Sequence, residues 1–416
     1  MFLLRQGLLS GILLCRDYFS CEKNIITLLA NQATLEFICQ HRHDDIRQLA
    51  LQGRKYPEVD MTYALEQIAG RQKAQTKLPT WAALDGIVYP AHISMEQCSS
   101  EITAKYKAKI AGSGTLFVDL TAGFGVDAAF ISRNFNHAIT VERQSYLCEI
   151  SSANYKLLGY DNIQVVCGDG VEYLHSIKSA DLIFIDPARR DEHGSRTYGI
   201  ADCTPNILPL LDELLEKAER VMVKLSPMLD WRKAVEDIRK VSEVHIVSVD
   251  NECKELLLII SKNVSPLKLF CANNDSVFEC IVDGSTFVSP VCQCESPVFL
   301  YEPNASIMKG GCFGAVSARF NIPQIDKNSH LFISDKEVPD FPGRHFTIDR
   351  ITSMNKRDLK LALCGIEKAN ITVRNFPMSV SELRKRLKLG DGGDTYIFAT
   401  TVADGSHRLF VCRKKS

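Results

Sequence analysis

The amino-acid sequence predicts an α/β fold: a doubly wound parallel sheet, with a helical segment before it and an α+β region after it. Five β-rich runs alternate with amphipathic segments in the middle of the chain, as parallel strands joined by helical crossovers require. Two further β-rich runs are joined only by the short polar link 250–255, which predicts an antiparallel hairpin at the sheet edge. The predicted strands are 115–120, 138–141, 163–167, 181–185, 221–225, 244–249 and 256–260.

The length and composition of the chain predict several globular domains. A chain of 416 residues is longer than one hydrophobic core usually organises. Apolar residues recur at three- and four-residue spacing from 31 to 75, which predicts helices there. The net charge of −1 excludes a uniformly basic nucleic-acid binder but allows local basic patches. We predict a helical region over 1–92, the sheet domain over 93–262, a small α+β unit over 263–330 and a further α+β domain over 331–416.

The 15 cysteines are spread along the chain without the spacing of a disulfide framework, which predicts reduced thiols and a cytoplasmic protein. Cys292 and Cys294 form a C-x-C pair, while Cys312 and Cys364 stand alone. Because this is not the paired C-x-x-C spacing of a zinc site, we predict no bound metal. The apolar stretch after Arg5 is well short of the roughly 20 residues that span a bilayer, so no membrane insertion is expected.

The turn after the first predicted strand is rich in glycine. Gly123 and Gly125 allow a sharp turn and a close approach to a ligand, and the helix that follows offers free N–H groups. The spacing Gly123-x-Gly125-x-x-Ala128 also satisfies the dinucleotide fingerprint, with Glu142 at about the spacing of a ribose-binding acid. The loop by itself therefore fits either a dinucleotide or S-adenosylmethionine (SAM).

Acidic residues at the ends of three successive predicted strands favour SAM. Asp119 precedes the glycines, where a pyrophosphate would meet like charge but the ammonium of a methionine moiety would find a partner. Glu142 can accept hydrogen bonds from both ribose hydroxyls, and Asp169 can accept one from an adenine amino group. Helix capping explains any one of these carboxylates but not easily the series. With SAM as the expected cofactor, the predicted binding residues are Asp119, Thr121, Gly123, Gly125, Glu142 and Asp169.

The fourth and fifth predicted strands end in residues that we predict to border the site of methyl transfer: Asp186, Pro187, Arg189 and Lys224. Asp186-Pro187-Ala188-Arg189 resembles the [DN]-P-P-[FYW] tetrapeptide of amino-methyltransferases, in which the first residue holds the target nitrogen and the aromatic residue stacks on the target ring. Because Arg189 replaces that aromatic residue, it is expected to lie over a base, bind a phosphate or pair with a carboxylate. Lys224 is expected to bind phosphate, neutralise developing charge or pair with Asp186.

Seven stretches together resemble a bacterial family of class I SAM-dependent methyltransferases with a C-terminal THUMP-like domain. They are GIVYPAHISMEQCSSEITAKYKA, DLTAGFGVD, ITVERQ, IDPARRD, VKLSPMLD, FLYEPNASIMK and ITVRNFPMSVSELRKRLKLGDGG. The first contains a Ser94-x-x-Gln97 capping box, which predicts a helix start beside the cofactor pocket. The resemblance implies a Rossmann-like domain with a seven-stranded sheet, a ferredoxin-like unit within 263–330, a THUMP-like domain over 331–416 and RNA as the substrate.

Because THUMP domains bind RNA, the resemblance also implies an RNA contact on the predicted helix 381–389, through Arg384, Lys385, Arg386 and Lys388. These charges would neutralise a comparable number of phosphates, and a solvated helix face is the alternative. We predict a SAM-dependent methyltransferase that acts on tRNA or rRNA. Two other functions stay open: an RNA-binding adaptor that keeps the pocket only as structure, and an NAD-type oxidoreductase.

Overall fold

The computed structural model describes residues 30–189, 199–262, 266–291 and 297–415. The chain forms two compact units that are interleaved in sequence. Among the described residues, the first unit comprises 30–189, 199–225, 232–240 and 258–262, and the second comprises 226–231, 241–257, 266–291 and 297–415. Within the described ranges, no helix is both long enough and apolar enough to cross a membrane.

Short helices open the first unit, as the periodicity of the sequence predicts. Side-chain caps set where they begin: the Asp60 carboxylate, for example, accepts a hydrogen bond from the N–H of Tyr63. Trp81 is fully buried and meets the ring of Phe124 edge to face, with 5.2 Å between ring centroids. The helical region therefore shares a core with the glycine-rich loop. The helices are Gln32–His41, Ile46–Leu51, Met61–Lys77, Pro79–Ala82, His92–Gln97 and Glu101–Ile110.

Five parallel strands form the centre of the first unit in the order β3-β2-β1-β4-β7. Since the strand order reverses between β1 and β4, their carboxyl ends form the crevice where ligands bind in such sheets. These five strands are β1 (Gly114–Asp119), β2 (Phe135–Glu142), β3 (Ile163–Cys167), β4 (Ala180–Ile185) and β7 (Ala218–Leu225). Between β4 and β7 in the chain, the two-residue strands β5 (Ala188–Arg189) and β6 (Cys203–Thr204) pair separately with each other. The helices here are Val126–Ile131, Ser145–Leu157, Gly170–Ser176, Leu211–Lys217 and Trp231–Ile238.

The predicted hairpin is present, but it does not lie at the sheet edge. β8 (Val241–Val249) and β9 (Glu252–Ser261) are joined by Asp250 and Asn251, both with positive φ, as in a tight hairpin turn. β8 also pairs in parallel with β10 (Lys268–Asn273), which pairs with the antiparallel β11 (Ser276–Ile281). Within the described residues, the sheet therefore has nine strands, in the order β11-β10-β8-β9-β7-β4-β1-β2-β3, instead of the predicted seven. The α/β class itself is confirmed.

In the part of the chain that the structure describes, the second unit contains a separate six-stranded sheet in the order β13-β12-β14-β17-β16-β15. Its strands are β12 (Phe299–Pro303), β13 (Phe332–Ser334), β14 (Gly343–Ser353), β15 (Asn370–Arg374), β16 (Thr395–Thr401) and β17 (His407–Lys414). The helices are Ala305–Gly310, Phe313–Phe320, Lys356–Ala362 and Val380–Leu387. The last of these is followed by Lys388, whose φ of +57° lies in the left-handed region typical of a helix C-cap.

Candidate cofactor and acceptor site

The glycine-rich loop lies at the carboxyl end of β1 and leads into the helix Val126–Ile131. Gly123 and Gly125 have φ of +55° and +82°, in the left-handed region that favours glycine. A Cβ at Gly125 would lie 2.0 Å from the hydroxyl of Tyr155, which donates a hydrogen bond to the Gly125 carbonyl at 2.9 Å. A Cβ at Gly123 would meet no atom within 4 Å. Gly125 therefore fixes the shape of the loop, and Gly123 borders open space.

Asp119 ends β1 as a buried carboxyl group, with 1% of its surface exposed. Its Oδ1 accepts a hydrogen bond from the N–H of Thr121 at 2.9 Å. Burial raises the pKa of Asp119 well above its ordinary value, and the nearby Asp127 and Asp186 raise it further, while the Thr121 hydrogen bond and Lys224 oppose them. A carboxyl group in this environment favours a cationic partner.

Thr121 joins the ends of two central strands. Besides its N–H bond to Asp119, its hydroxyl oxygen accepts a hydrogen bond from the N–H of Asp186 at 2.6 Å. Asp186 follows β4, and the buried Pro187 comes next. The loop after β1 and the turn after β4 are therefore held in one arrangement.

Glu142 and Asp169 hold the ends of β2 and β3. Glu142 accepts hydrogen bonds from the N–H groups of Gly123 and Gln144, each at 2.9 Å. Asp169 caps the helix Gly170–Ser176 and forms an ion pair with Arg143. Burial acts to raise the pKa of Asp169, but hydrogen bonds from the helix N–H groups and the Arg143 guanidinium hold it below its ordinary value. Asp169 therefore does cap a helix, which is the alternative to cofactor binding. Glu142 instead contacts the glycine-rich loop through the N–H of Gly123.

Lys224 and Asp186 meet at the carboxyl ends of β7 and β4. The distance from Lys224 Nζ to Asp186 Oδ2 is 2.6 Å, and Nζ lies 3.5 Å from Asp127 Oδ2. The Lys224 side chain is 12% exposed, whereas that of Asp186 is 37% exposed. Of the roles expected for Lys224, pairing with Asp186 is the one seen here.

Arg189 follows this pair, and its backbone forms part of β5, which pairs with β6 through Arg189 and Cys203. The side chain of Arg189 lies outside the described residues, as does the segment 190–198. The three expected roles of Arg189 therefore stay predictions.

Two charged residues next to this site, Asp127 and Lys107, are not among the predicted site residues. Lys107 has a completely buried side chain, and its Nζ lies 3.2 Å from Asp127 Oδ1. A signal was present, because Lys107 lies three residues after Ala104 and four before Ala111, on the buried face of its helix. A lysine on an apolar helix face indicates a buried partner for its charge.

The predicted capping box at Ser94 is wrong. Ser94 lies inside the helix His92–Gln97, and the next helix begins at Ser100, whose hydroxyl accepts a hydrogen bond from the N–H of Thr103 at 3.3 Å. The extended backbone at Cys98 separates the two helices. This break places Ser99 where its hydroxyl donates to Asp127 Oδ2 at 2.7 Å.

The predicted RNA-binding residues lie on and just after the helix Val380–Leu387 in the second unit. Arg384 is engaged within the unit: its guanidinium donates to the carbonyls of Ala369 and Gly390 and pairs with Asp391 at 2.6 Å. The other three residues are exposed: Lys385, Arg386 and Lys388.

For metal binding, the described ranges contain no group of three or more His, Cys, Asp or Glu side chains placed to hold an ion. Cys312 is buried with its sulfur 3.8 Å from that of Cys271, and Cys364 is exposed. Cys292 and Cys294 fall outside the described residues.

Known proteins resemble this chain along most of its length. A "putative methyltransferase" from Porphyromonas gingivalis W83, known from its crystal structure, is 31% identical, with a TM-score of 0.83 over 92% of this chain and 98% of that one. An uncharacterized SAM-dependent methyltransferase of Mycobacterium tuberculosis is 22% identical over 329 residues, which are 77% of this chain and 87% of the relative. The chain belongs to the class I SAM-dependent methyltransferases that carry a C-terminal THUMP-like domain, and SAM is its cofactor.

Three family matches cover separate segments. Residues 343–414 match the THUMP domain-like family, and 299–342 match a ferredoxin-like domain. Residues 82–191 match the protein-L-isoaspartate(D-aspartate) O-methyltransferase family. A protein-L-isoaspartate O-methyltransferase of Nitrobacter winogradskyi is 32% identical over 77 residues, 18% of this chain and 36% of the relative. The predicted family, fold class and cofactor are confirmed.

The residues at the strand ends fit SAM by two observations of this structure. Open space borders Gly123, where a side chain would otherwise project. Asp119 is a buried carboxyl group with a raised pKa, for which an ammonium group is a suitable partner.

Proposed function

We propose that the protein transfers the methyl group of SAM to a base of tRNA or rRNA, at a site bordered by Asp186, Pro187, Arg189 and Lys224. The observation that carries this proposal is the contact between Lys224 Nζ and Asp186 Oδ2 at 2.6 Å. A carboxylate accepts hydrogen bonds and an ammonium donates them, and the edge of a base presents donor and acceptor groups side by side. The pair is therefore complementary to a base edge.

The cofactor side of the proposal assigns one role to each strand end. Asp119 would hold the methionine ammonium, Glu142 the ribose hydroxyls and Asp169 the adenine amino group, with Gly123 leaving room for the ligand. Bound SAM supplies an electrophilic methyl group on a sulfonium. Thr121 holds the backbone of Asp186 through a 2.6 Å hydrogen bond, so the acceptor side is fixed to the cofactor loop.

Methyl transfer to a base nitrogen depends above all on holding the nucleophile in line with the methyl group. Asp186 would accept a hydrogen bond from the nucleophilic nitrogen and orient its lone pair. Lys224 would donate to the neighbouring acceptor atom of the base and prevent rotation in the ring plane.

The match to isoaspartate O-methyltransferases raises a protein carboxylate as another acceptor. The exposed carboxylate of Asp186 argues against it, because Asp186 already pairs with Lys224 and a substrate carboxylate would meet its like charge. A neutral base would meet no like charge there.

The second unit supplies the proposed RNA contact. The exposed Lys385 lines a cavity of about 580 Å³, together with Ser381 and Asn370. Arg386 and Lys388 are exposed on the same helix and its cap. We infer a division of labour in which 93–262 catalyses methyl transfer and 331–416 binds RNA, with the unit 263–330 between them in sequence.

The function is tested by mass spectrometry of nucleosides from total RNA of cells with and without this gene. We expect one methylated nucleoside to disappear without the gene and to return with the wild-type gene. The Asp119→Ala gene serves as the control and is expected not to restore it. An identical set of nucleosides in both strains would contradict RNA as the substrate.

Replacing the exposed basic residues Lys385, Arg386 and Lys388 by alanine should weaken binding to total tRNA. Three phosphate contacts on single-stranded RNA contribute about 2 to the slope of log affinity against log salt, so the slope should fall by about that amount. Fluorescence anisotropy at several salt concentrations measures both quantities. The matched control is alanine at Lys356, Arg357 and Lys360, which are exposed on the helix Lys356–Ala362. An equal loss of tRNA affinity in both variants would show that the helix Val380–Leu387 is not a specific RNA contact.

A further inference from the structure

The ion pair of Lys224 and Asp186 is continued inward by a second set of polar residues, which we call the buried cluster: Ser99, Lys107 and Asp127. Lys107 has no exposed side-chain surface, and the Asp127 side chain is 10% exposed. Asp127 is also the point of contact with the acceptor site, because its Oδ2 lies 3.5 Å from Lys224 Nζ. The cluster and the acceptor pair therefore form one chain of charges in the first unit.

The two oxygens of Asp127 have different partners. Oδ1 lies 3.2 Å from Lys107 Nζ. Oδ2 accepts the 2.7 Å hydrogen bond from Ser99 and faces Lys224. Ser99 and Lys107 thus fix the orientation of the carboxylate that Lys224 meets.

A buried ion pair of this kind is poorly explained by stability alone. Removing two charges from water is costly, and replacing a buried pair by apolar residues of similar volume is often neutral or stabilising. Burial acts to raise the pKa of Asp127, but Lys107, Lys224 and Ser99 together hold it below its ordinary value. The carboxylate therefore stays charged next to Lys224.

We propose that Asp127, held by Lys107 and Ser99, is a positioning residue that fixes the Lys224 ammonium against Asp186 for methyl transfer. Lys224 then lies between two carboxylates, one buried and one facing the substrate. This inference rests on the proposed function, since it takes Lys224 and Asp186 as the acceptor site.

Other charged or titratable groups also act on this lysine or its partners. Lys77 and Cys98 come from the helical region before β1, and Asp119 ends β1. Lys107 and Asp127 form the buried cluster, and Asp186 follows β4.

The test removes both charges of the buried pair with the double variant Lys107→Met/Asp127→Asn, since Asp127→Asn alone would leave a buried lysine without its carboxylate. The first readout is the rate at which N-hydroxysuccinimide acetate acetylates Lys224, followed by mass spectrometry. This rate should rise about fivefold or more at a given pH, because one carboxylate no longer holds the ammonium. SAM affinity measured by calorimetry should stay within about threefold.

The second readout is methyl transfer from labelled SAM to total RNA of cells that lack the gene. We expect kcat to fall about tenfold or more with the KM for RNA within about threefold, since a positioning residue acts on the transition state. The matched control is Lys105→Met, on the same helix: Lys105 pairs with Glu101 and is 59% exposed, and this variant should match wild type in every readout.

Unchanged acetylation of Lys224 in the double variant would overturn the inference. If the double variant does not fold, Ser99→Ala removes only the hydroxyl that orients Asp127, and it should speed acetylation about twofold. Again, an unchanged rate would overturn the inference. If the wild-type protein methylates no RNA, the proposed function is wrong. The acetylation rate still tests whether Asp127 positions Lys224.

Discussion

Replacing Asp119 by alanine is expected to lower the affinity for SAM about 100-fold or more, to below detection in calorimetry. The carboxyl group of Asp119, the proposed partner of the methionine ammonium, is buried at the end of β1, where water would not replace the lost contact. Asp119→Asn tests the charge alone, because an amide oxygen can still accept the hydrogen bond from the N–H of Thr121. Both variants should lose SAM binding.

The raised pKa of Asp119 gives this loss a distinctive pH dependence. Its pKa in the folded protein lies well above the ordinary value of 3.8, mainly because of burial. Between the two values the folded protein binds more protons than the unfolded chain, so ionisation of Asp119 lowers stability as pH rises through this window. Asp119→Asn should therefore unfold about 2–6 °C above the ligand-free wild type at neutral pH. SAM affinity of the wild type should fall as pH drops and Asp119 takes up its proton.

Asp181→Asn is the matched control for these measurements. Asp181 also accepts backbone hydrogen bonds, from Thr115 and Leu116 at 2.7 and 2.8 Å, but it lies at the amino ends of the strands. It should leave SAM affinity unchanged. If Asp119→Asn bound SAM like wild type, the cofactor would not use this strand end.

Replacing Asp186 by asparagine is expected to reduce methyl transfer to RNA about 10²- to 10³-fold, while SAM affinity stays within about threefold. Asparagine keeps the size of the side chain and the backbone hydrogen bond to Thr121. It removes the charge that holds Lys224 at 2.6 Å and that would orient the target nitrogen. Labelled methyl incorporation into RNA and calorimetry of SAM binding separate the two effects.

Asp212→Asn provides a comparison, since Asp212 forms a 3.2 Å ion pair with Lys240 but is 96% exposed. Such exposed pairs contribute little, so this variant should keep full activity. Retained transfer in Asp186→Asn would place the acceptor elsewhere. A parallel loss of SAM binding would assign Asp186 to the cofactor pocket instead.

The strand ends could be predicted from sequence because the relevant signals are local. Runs of apolar residues predict the parallel strands, and the acidic residues at or just beyond the ends of the first three runs are Asp119, Glu142 and Asp169. The contact of Lys224 with Asp186 could also be predicted, because the ends of adjacent strands in a doubly wound sheet lie side by side.

Other features depend on contacts that no local pattern shows. Asp127 reads as an ordinary residue in the first turn of a helix, and only the packing of the preceding helix brings Lys107 and Ser99 to it. Likewise, the sequence of β10 falls within the predicted unit 263–330, although β10 pairs with β8 in the large sheet. The choice of neighbour is made by tertiary packing in both cases.

The place of β8 within its sheet has a practical consequence for anyone who wishes to express the methyltransferase region alone. A fragment truncated after Lys262 would keep β8 but lose β10, and six residue pairs of the ladder from Lys268 to Asn273 would be missing. The exposed N–H and C=O groups of an apolar strand invite pairing between chains and aggregation. A fragment that ends after Ile281 retains both added strands and avoids this hazard.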